Sequence, residues 1–259
     1  MSILTRNTMK RCCLAAGALC ALLSPVHAAE VCTALADAAG GKPLLERGDC
    51  RTRVTPASTF KIAISLMGYD AGVLKDAHTP LLPYRPGYVD WQPAWRAPAD
   101  PAKWMRDSVV WYSQQTTLAL GPARFGAYVR QFGYGNQDVT GDADHDGLTL
   151  SWIGSSLQIS PLEQLGFLAK LVNRRLGVSG HAYDMTAALT HYGTVSGWDL
   201  HGKTGASSGL GWYVGWATKD GRTVTFARLV RSDDTKPEAM STGVWARQAF
   251  LAEFPGLLP

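Results

Sequence analysis

From Ser58 to Tyr69 the only charged residue is Lys61, and Ile62, Ala63, Ile64, Leu66 and Met67 leave no polar face for it to occupy. A helix that is apolar all round is a buried one, so any fold of this chain has to be assembled around the segment from Ser58 to about Gly72. Pro56 is expected to pre-set an extended approach to it. Ser58 then falls in the first turn, where free backbone N–H groups and the positive end of the helix dipole favour a developing anion. Lys61 lies one turn on, on the same face. Burial penalises its ammonium form, so the amine can act as a neutral base toward the Ser58 hydroxyl. Ser-x-x-Lys is by itself a weak signal; a helix cap followed by a solvated lysine is the commoner meaning.

The first residues are expected to be a secretory signal over 1–28: Arg6, Lys10 and Arg11, an apolar run from Leu14 to Leu23, and small residues for cleavage at Val26-His27-Ala28. The run is too short to span a bilayer. Met1 and Met9 are both workable starts. Residues 29–259 are then one exported domain, long enough for a substantial core. Removing the signal takes the formal charge from +4 to +1, which withdraws support from nucleic acid as a partner. Three cysteines leave with it, and Cys32 and Cys50 remain as an even pair in an oxidising compartment, where a disulfide is expected.

Along the chain, Val31 to Ala36, a turn at Ala39-Gly40-Gly41-Lys42 and Pro43 to Leu45 read as a hairpin. Thr79 to Pro101 is a long Pro/Gly/aromatic loop. Pro101–Leu120 and Pro122–Phe132 have helical patterns that open with proline. Asp142, Asp144 and Asp146 alternate, but no glutamate follows at calcium-loop spacing, which favours a solvated turn. Ser160-Pro161-Leu162-Glu163 is a helix start, for a helix to about Leu176. Trp198–Thr204, Trp212–Ala217 and Thr223–Val230 form an antiparallel meander, and a helix from about Glu238 to Phe254 closes the chain. The expected fold class is α/β of the α+β kind, one antiparallel sheet built from both chain ends and faced by helices, with a helical lobe inserted from the middle.

Downstream of Ser58 and Lys61 come Ser108-Val109-Val110, Tyr134-Gly135-Asn136 and Lys203-Thr204-Gly205. Each is weak alone, but the ordered set is specific. With Pro56, Thr59 and Phe60 flanking the first motif, Trp152 within Ser151-Trp152-Ile153, and Gly211-Trp212-Tyr213-Val214-Gly215-Trp216, the chain resembles the penicillin-recognising serine enzymes. Within them it is similar to the class D, oxacillinase-type β-lactamases over essentially the whole of 29–259. Ser108-Val109-Val110 stands where class A enzymes carry Ser-Asp-Asn.

The resemblance implies roles residue by residue. Ser58 attacks the lactam carbonyl, and Lys61, carboxylated by carbon dioxide, is the general base. Trp152 holds the carbamate, with Val110, Phe60 and Leu157 as dry lining. Ser108 relays a proton to the leaving nitrogen, and Lys203 supports that relay and attracts the substrate carboxylate. Thr204, Gly205, Ala206 and Val110 are the substrate-binding positions; the N–H groups of Ser58 and Ala206 form the oxyanion hole. Tyr134, Gly135 and Asn136 are structural. No metal or organic cofactor is implied, and the partner is a small-molecule β-lactam, with no membrane after signal cleavage; monomer and dimer stay open. The implied location is a periplasm.

The chain departs from the pattern twice. Where many relatives carry a carboxylate-gripping arginine on the last helix, the register puts Ser241, with Arg247 further on. The connection from Ala206 to Gly211 is also short. Rival readings are a peptidoglycan transpeptidase, a β-lactam-binding sensor domain that acylates and stops, and an inactive relative; the first two are expected to carry membrane anchors or further domains.

Overall fold

The computed structural model describes residues 29–233 and 235–258, so the expected signal segment lies outside the described residues. Six antiparallel strands form one sheet in the order β2-β1-β6-β5-β4-β3. They are β1 Ala29–Asp37, β2 Pro43–Gly48, β3 His191–Val195, β4 Trp198–Ser207, β5 Leu210–Lys219 and β6 Arg222–Arg231. The N-terminal hairpin meets the C-terminal meander where β1 pairs with β6, Thr33 opposite Arg228 and Leu35 opposite Phe226. Sequence-distant ends therefore make one sheet, as the strand pattern implied.

Helices between β2 and β3 cover one face: α1 Lys61–Asp70, α2 Pro101–Asp107, α3 Val110–Leu120, α4 Pro122–Phe132, α5 Gly147–Leu150, α6 Pro161–Val172 and α7 Gly180–Thr190. The last helix, α8 Thr242–Leu257, covers the other. Strand alternation divides the side chains between the two faces. Trp212, Val214 and Trp216 point into the large core with α1, whereas Tyr213 and Ala217 join Phe226, Phe250 and Phe254 under α8. Every residue of α1 but Asp70 is buried, so the helix with no polar face is the one the domain is built around.

Three expectations are corrected. Pro56 is not extended but αR, at φ −71° and ψ −20°, and a short 3-10 turn over Ala57–Phe60 precedes α1. The expected helix over Pro101–Leu120 is two helices, because Ser108 takes a left-handed backbone at φ +60° and breaks the ladder. The last helix starts four residues later than expected, at Thr242, where the Ser241 hydroxyl accepts from the Val244 N–H and caps it. Three elements had no sequence expectation: the four-residue α5, α7, whose GHAYDMTAALT lacks a clear apolar stripe, and β3, a five-residue edge strand interrupted by Gly193. The Ser160 start is a full capping box with Glu163.

Arg228 is buried on the α8 face and donates to Thr33 and Glu253, with Glu30 in ion-pair range. Arg47 on β2 joins the same carboxylates. Those groups tie the N-terminal hairpin to β6 and α8. Cys32 on β1 is disulfide-bonded to Cys50, 18 residues on, which secures the hairpin to the segment that leads into Ser58. A closed loop of that size limits the unfolded chain. Replacing both cysteines by serine is expected to lower unfolding free energy by about 2–4 kcal/mol, read as a urea midpoint shift with the m-value retained.

Candidate active site

The chain makes a tight turn before the buried helix. Ala57 is left-handed at φ +49° and fully buried, a conformation that costs about 1–3 kcal/mol in a non-glycine residue and persists only where neighbours enforce it. They do so here: the Thr59 N–H and hydroxyl both donate to the Pro56 carbonyl, and Gln164 Nε2 on α6 donates to the Thr59 hydroxyl and the Tyr134 hydroxyl. The half-buried Ser58 projects from this turn, and Lys61 Nζ lies 3.1 Å from its Oγ.

Lys61 is fully buried, and desolvation, with the nearby Lys203 charge second, holds its amine well below the ordinary lysine range. Trp152 packs at 5.6 Å from the Phe60 ring and 6.1 Å from Phe125, and its indole Nε1–H is buried with no acceptor. Val110, Phe60 and Leu157 belong to the same dry core. A buried N–H normally has a partner, so this indole donor stands unsatisfied in the dry core.

Ser108, at the break between α2 and α3, is held in place from both sides. The Val109 N–H donates to the Trp104 carbonyl, and the Trp95 indole donates to the Asp107 carbonyl. Its hydroxyl accepts from Lys203 Nζ at 3.1 Å. Lys203 is buried on β4, donates also to the Thr204 carbonyl, and has its pKa lowered to about 7 by burial first and by the Arg247 charge second. Gly205 is required by crowding. A Cβ there would lie 3.0 Å from the Pro56 carbonyl oxygen and 3.1 Å from the Thr59 nitrogen, and a Cβ on Gly243 of α8 would come 2.5 Å from the Gly205 carbonyl oxygen. Strand β4 can therefore run directly beside the Ser58 turn, which leaves the exposed Ala206 at the crevice rim.

Tyr134 packs on Phe60 of the Ser58 turn, 4.9 Å between ring centroids, whereas Gly135 and Asn136 serve a neighbouring arm. Gly135 has φ +52°, and a Cβ would strike the Gln158 carbonyl at 2.0 Å. Asn136 brackets the following arm, donating to Ser156 O and accepting from the Gln158 N–H. That arm carries Trp152, and Thr55 fastens its far side, donating to the Trp152 carbonyl and accepting from the Gly154 N–H. Thr55 and Gln164 were not anticipated from sequence, since neither belongs to a motif and both act through folding-dependent contacts. Asp146 in the acidic loop accepts from the Leu148 and Thr149 N–H groups as the cap of α5. Among the described residues, no helix is long and apolar enough to cross a membrane.

If both lysines are held deprotonated by burial, the unfolded chain binds more protons than the native one above pH 7. Stability then rises with pH in that range. For Lys203 the window runs from about 7 up toward the unfolded value of 10.5. The urea midpoint is expected to increase from about pH 7 to 9, and the increase should shrink in Lys203→Met.

Residues 32–251 match the family described as penicillin binding protein transpeptidase domain. Beta-lactamase OXA-9 of Klebsiella pneumoniae is 44% identical, with 88% of each chain covered. Beta-lactamase OXA-1 of Escherichia coli is 35% identical, over 76% of this chain and 74% of the relative. The crystal structure of OXA-427 class D β-lactamase superposes with a TM-score of 0.82 at 42% identity, covering 88% of this chain and 99% of that one. The fold, the motif order and these similarities agree, and the chain belongs to the class D serine β-lactamases, hydrolases that open the β-lactam ring.

Proposed function

We propose that this enzyme hydrolyses penicillin-type antibiotics, oxacillin among them, through an acyl-enzyme on Ser58, and that it is exported by a signal over residues 1–28 to act in a periplasm. The observation that carries the mechanism is the fully buried Lys61 amine 3.1 Å from the Ser58 hydroxyl. A neutral amine can take the Ser58 proton or react with carbon dioxide, and desolvation keeps it neutral. The orphan Trp152 N–H and the dry lining of Phe60, Val110 and Leu157 fit a carboxylated Lys61. When bound, carbon dioxide supplies a carboxylate-type general base for acylation and deacylation.

The chain's own groups do the rest. Ser58 Oγ attacks the lactam carbonyl as its proton leaves toward Lys61. The negative charge that develops on the carbonyl oxygen is taken by the N–H groups of Ser58 and Ala206, fixed donors worth several kcal/mol. Ser108 passes a proton to the departing lactam nitrogen, with Lys203 holding its hydroxyl at 3.1 Å. Thr204 receives the substrate carboxylate. Water then cleaves the ester and frees Ser58. No step runs through a metal.

Oxacillin turnover by the chain from residue 29, in carbon-dioxide-depleted buffer and with bicarbonate restored, tests this beside intact-mass measurement. Fast turnover returning with bicarbonate and little trapped adduct is expected. Trp152→Phe should cut turnover by about 100-fold and raise the bicarbonate needed. A lasting adduct on Ser58 whatever the bicarbonate would overturn the hydrolase mechanism in favour of a sensor or a transpeptidase.

A further inference from the structure

Trp152 lies in a stretch from 151 to 156 that belongs to neither helix nor strand, so its place depends on what fastens that stretch. Several fastenings converge on Arg53, Val54 and Thr55, just upstream of the nucleophile. Arg53 pairs with Glu163, the acidic member of the α6 capping box. Val54 exchanges backbone hydrogen bonds with Ile159, at 3.1 and 2.9 Å. Thr55 holds the end of the arm that carries the tryptophan: its hydroxyl donates to the Trp152 carbonyl at 2.8 Å and accepts from the Gly154 N–H at 2.9 Å.

Thr55 is itself fixed to the sheet. The indole N–H of Trp212, fully buried on β5, donates to the Thr55 carbonyl at 2.9 Å. Pro56 and Ala57 then lead directly to Ser58, whose turn is set against β4 at Gly205. Phe60 of the same turn packs on the Trp152 ring. The nucleophile and the unsatisfied indole therefore take their positions from one short segment, with the Thr55 carbonyl bound to β5 and the Thr55 hydroxyl bound to the arm. A hydroxyl can donate and accept at once; a valine of the same shape would do neither.

A carboxylated Lys61 would be an anion in a dry core, stabilised by donors held at hydrogen-bond distance. The Trp152 N–H is such a donor, on an arm that one hydroxyl fastens beside it. Resting on the carbamate reading, we propose that Thr55 is a positioning residue for the carboxylation of Lys61. Through its hydroxyl it sets the seat of Trp152, and so the affinity of the buried amine for carbon dioxide. In the step it favours, the neutral Lys61 nitrogen bonds to the carbon of carbon dioxide, one C=O electron pair moves onto oxygen, and the N–H proton is released to water. Nothing is oxidised or reduced. Thr55 touches neither the substrate nor the reacting atoms.

Carbon-13 bicarbonate reads the occupancy of Lys61 without substrate, as a carbamate resonance that Lys61→Ala removes. Thr55→Val is expected to need about 5–20-fold more bicarbonate than the wild type to develop that resonance. Oxacillin turnover should shift in parallel and return to within about threefold of wild type at saturating bicarbonate. Thr55→Ser should restore the wild-type requirement, and Arg53→Gln, which loosens the α6 end of the same segment, should leave it within about twofold. Thermal melting identifies a variant that fails to fold, and Thr55→Ala, which removes the hydroxyl without placing a methyl against the Trp152 carbonyl, then decides. An unchanged bicarbonate requirement in the folded variant, an equal rise in Arg53→Gln, or a loss of turnover that saturating bicarbonate does not repair would overturn the role of Thr55 alone. A wild type without the resonance would refute the carbamate reading and the role of Thr55 with it, so the two failures are distinguishable.

Discussion

The burial of one amine organises this protein. Lys61 sits in a helix with no solvated face, and an ammonium there would lose its hydration without gaining a carboxylate. Desolvation lowers its pKa, and the same penalty that would destabilise a charged lysine supports the proposed base beside the Ser58 hydroxyl. The surrounding architecture serves to keep that helix dry. Helices α3, α4 and α7 wrap it, the sheet closes behind it, and Trp152 and Phe60 seal its first turn.

Around that base the fold supplies rigidity where the backbone is least comfortable. Ala57 flanks the Ser58 hydroxyl and Ser108 carries its own, and both residues are left-handed. Each is pinned by donors from elsewhere in the chain: Gln164 acts through Thr59 on one, and Trp95 and Val109 hold the other. Conformations of this kind cost energy locally and are maintained by over-determined surroundings, which is how a site stays poised without substrate. The Tyr134-Gly135-Asn136 motif contributes at one remove. Asn136 braces the arm that carries Trp152, while Tyr134 packs on Phe60 and shares Gln164 with Thr59 in the Ser58 turn.

The motif residues and the central helix were legible because they depend on short-range chemistry: an i, i+3 pair, a run with no polar face, a strand ending in glycine. The sheet could be anticipated for a similar reason, since alternating segments at the two ends have nothing else to pair with. The split at Ser108 was not legible. Helix propensity across 101–120 is adequate throughout, and only tertiary contacts select the left-handed serine. Helix α7 was missed because its contacts with α1, α2 and β4 supply what its own sequence pattern lacks, and β3 because a short, largely exposed edge strand carries little alternation. That Arg247 on α8 lines one cavity with Lys203 and Thr204 of β4 is not visible in a linear register.

The sequence by itself determined the chemistry: which side chains exist at helical spacing, that Lys61 has no polar neighbour in its own segment, and that Cys32 and Cys50 are available to pair. Local forces act over one turn or one strand, so such facts survive without coordinates. Only the tertiary structure decided the electrostatics. Whether Lys203 meets Ser108 and whether the Trp152 N–H is left without an acceptor depend on groups many tens of residues apart. Desolvation and Coulomb energy are set by what surrounds a charge in space, and the chain order does not contain that information.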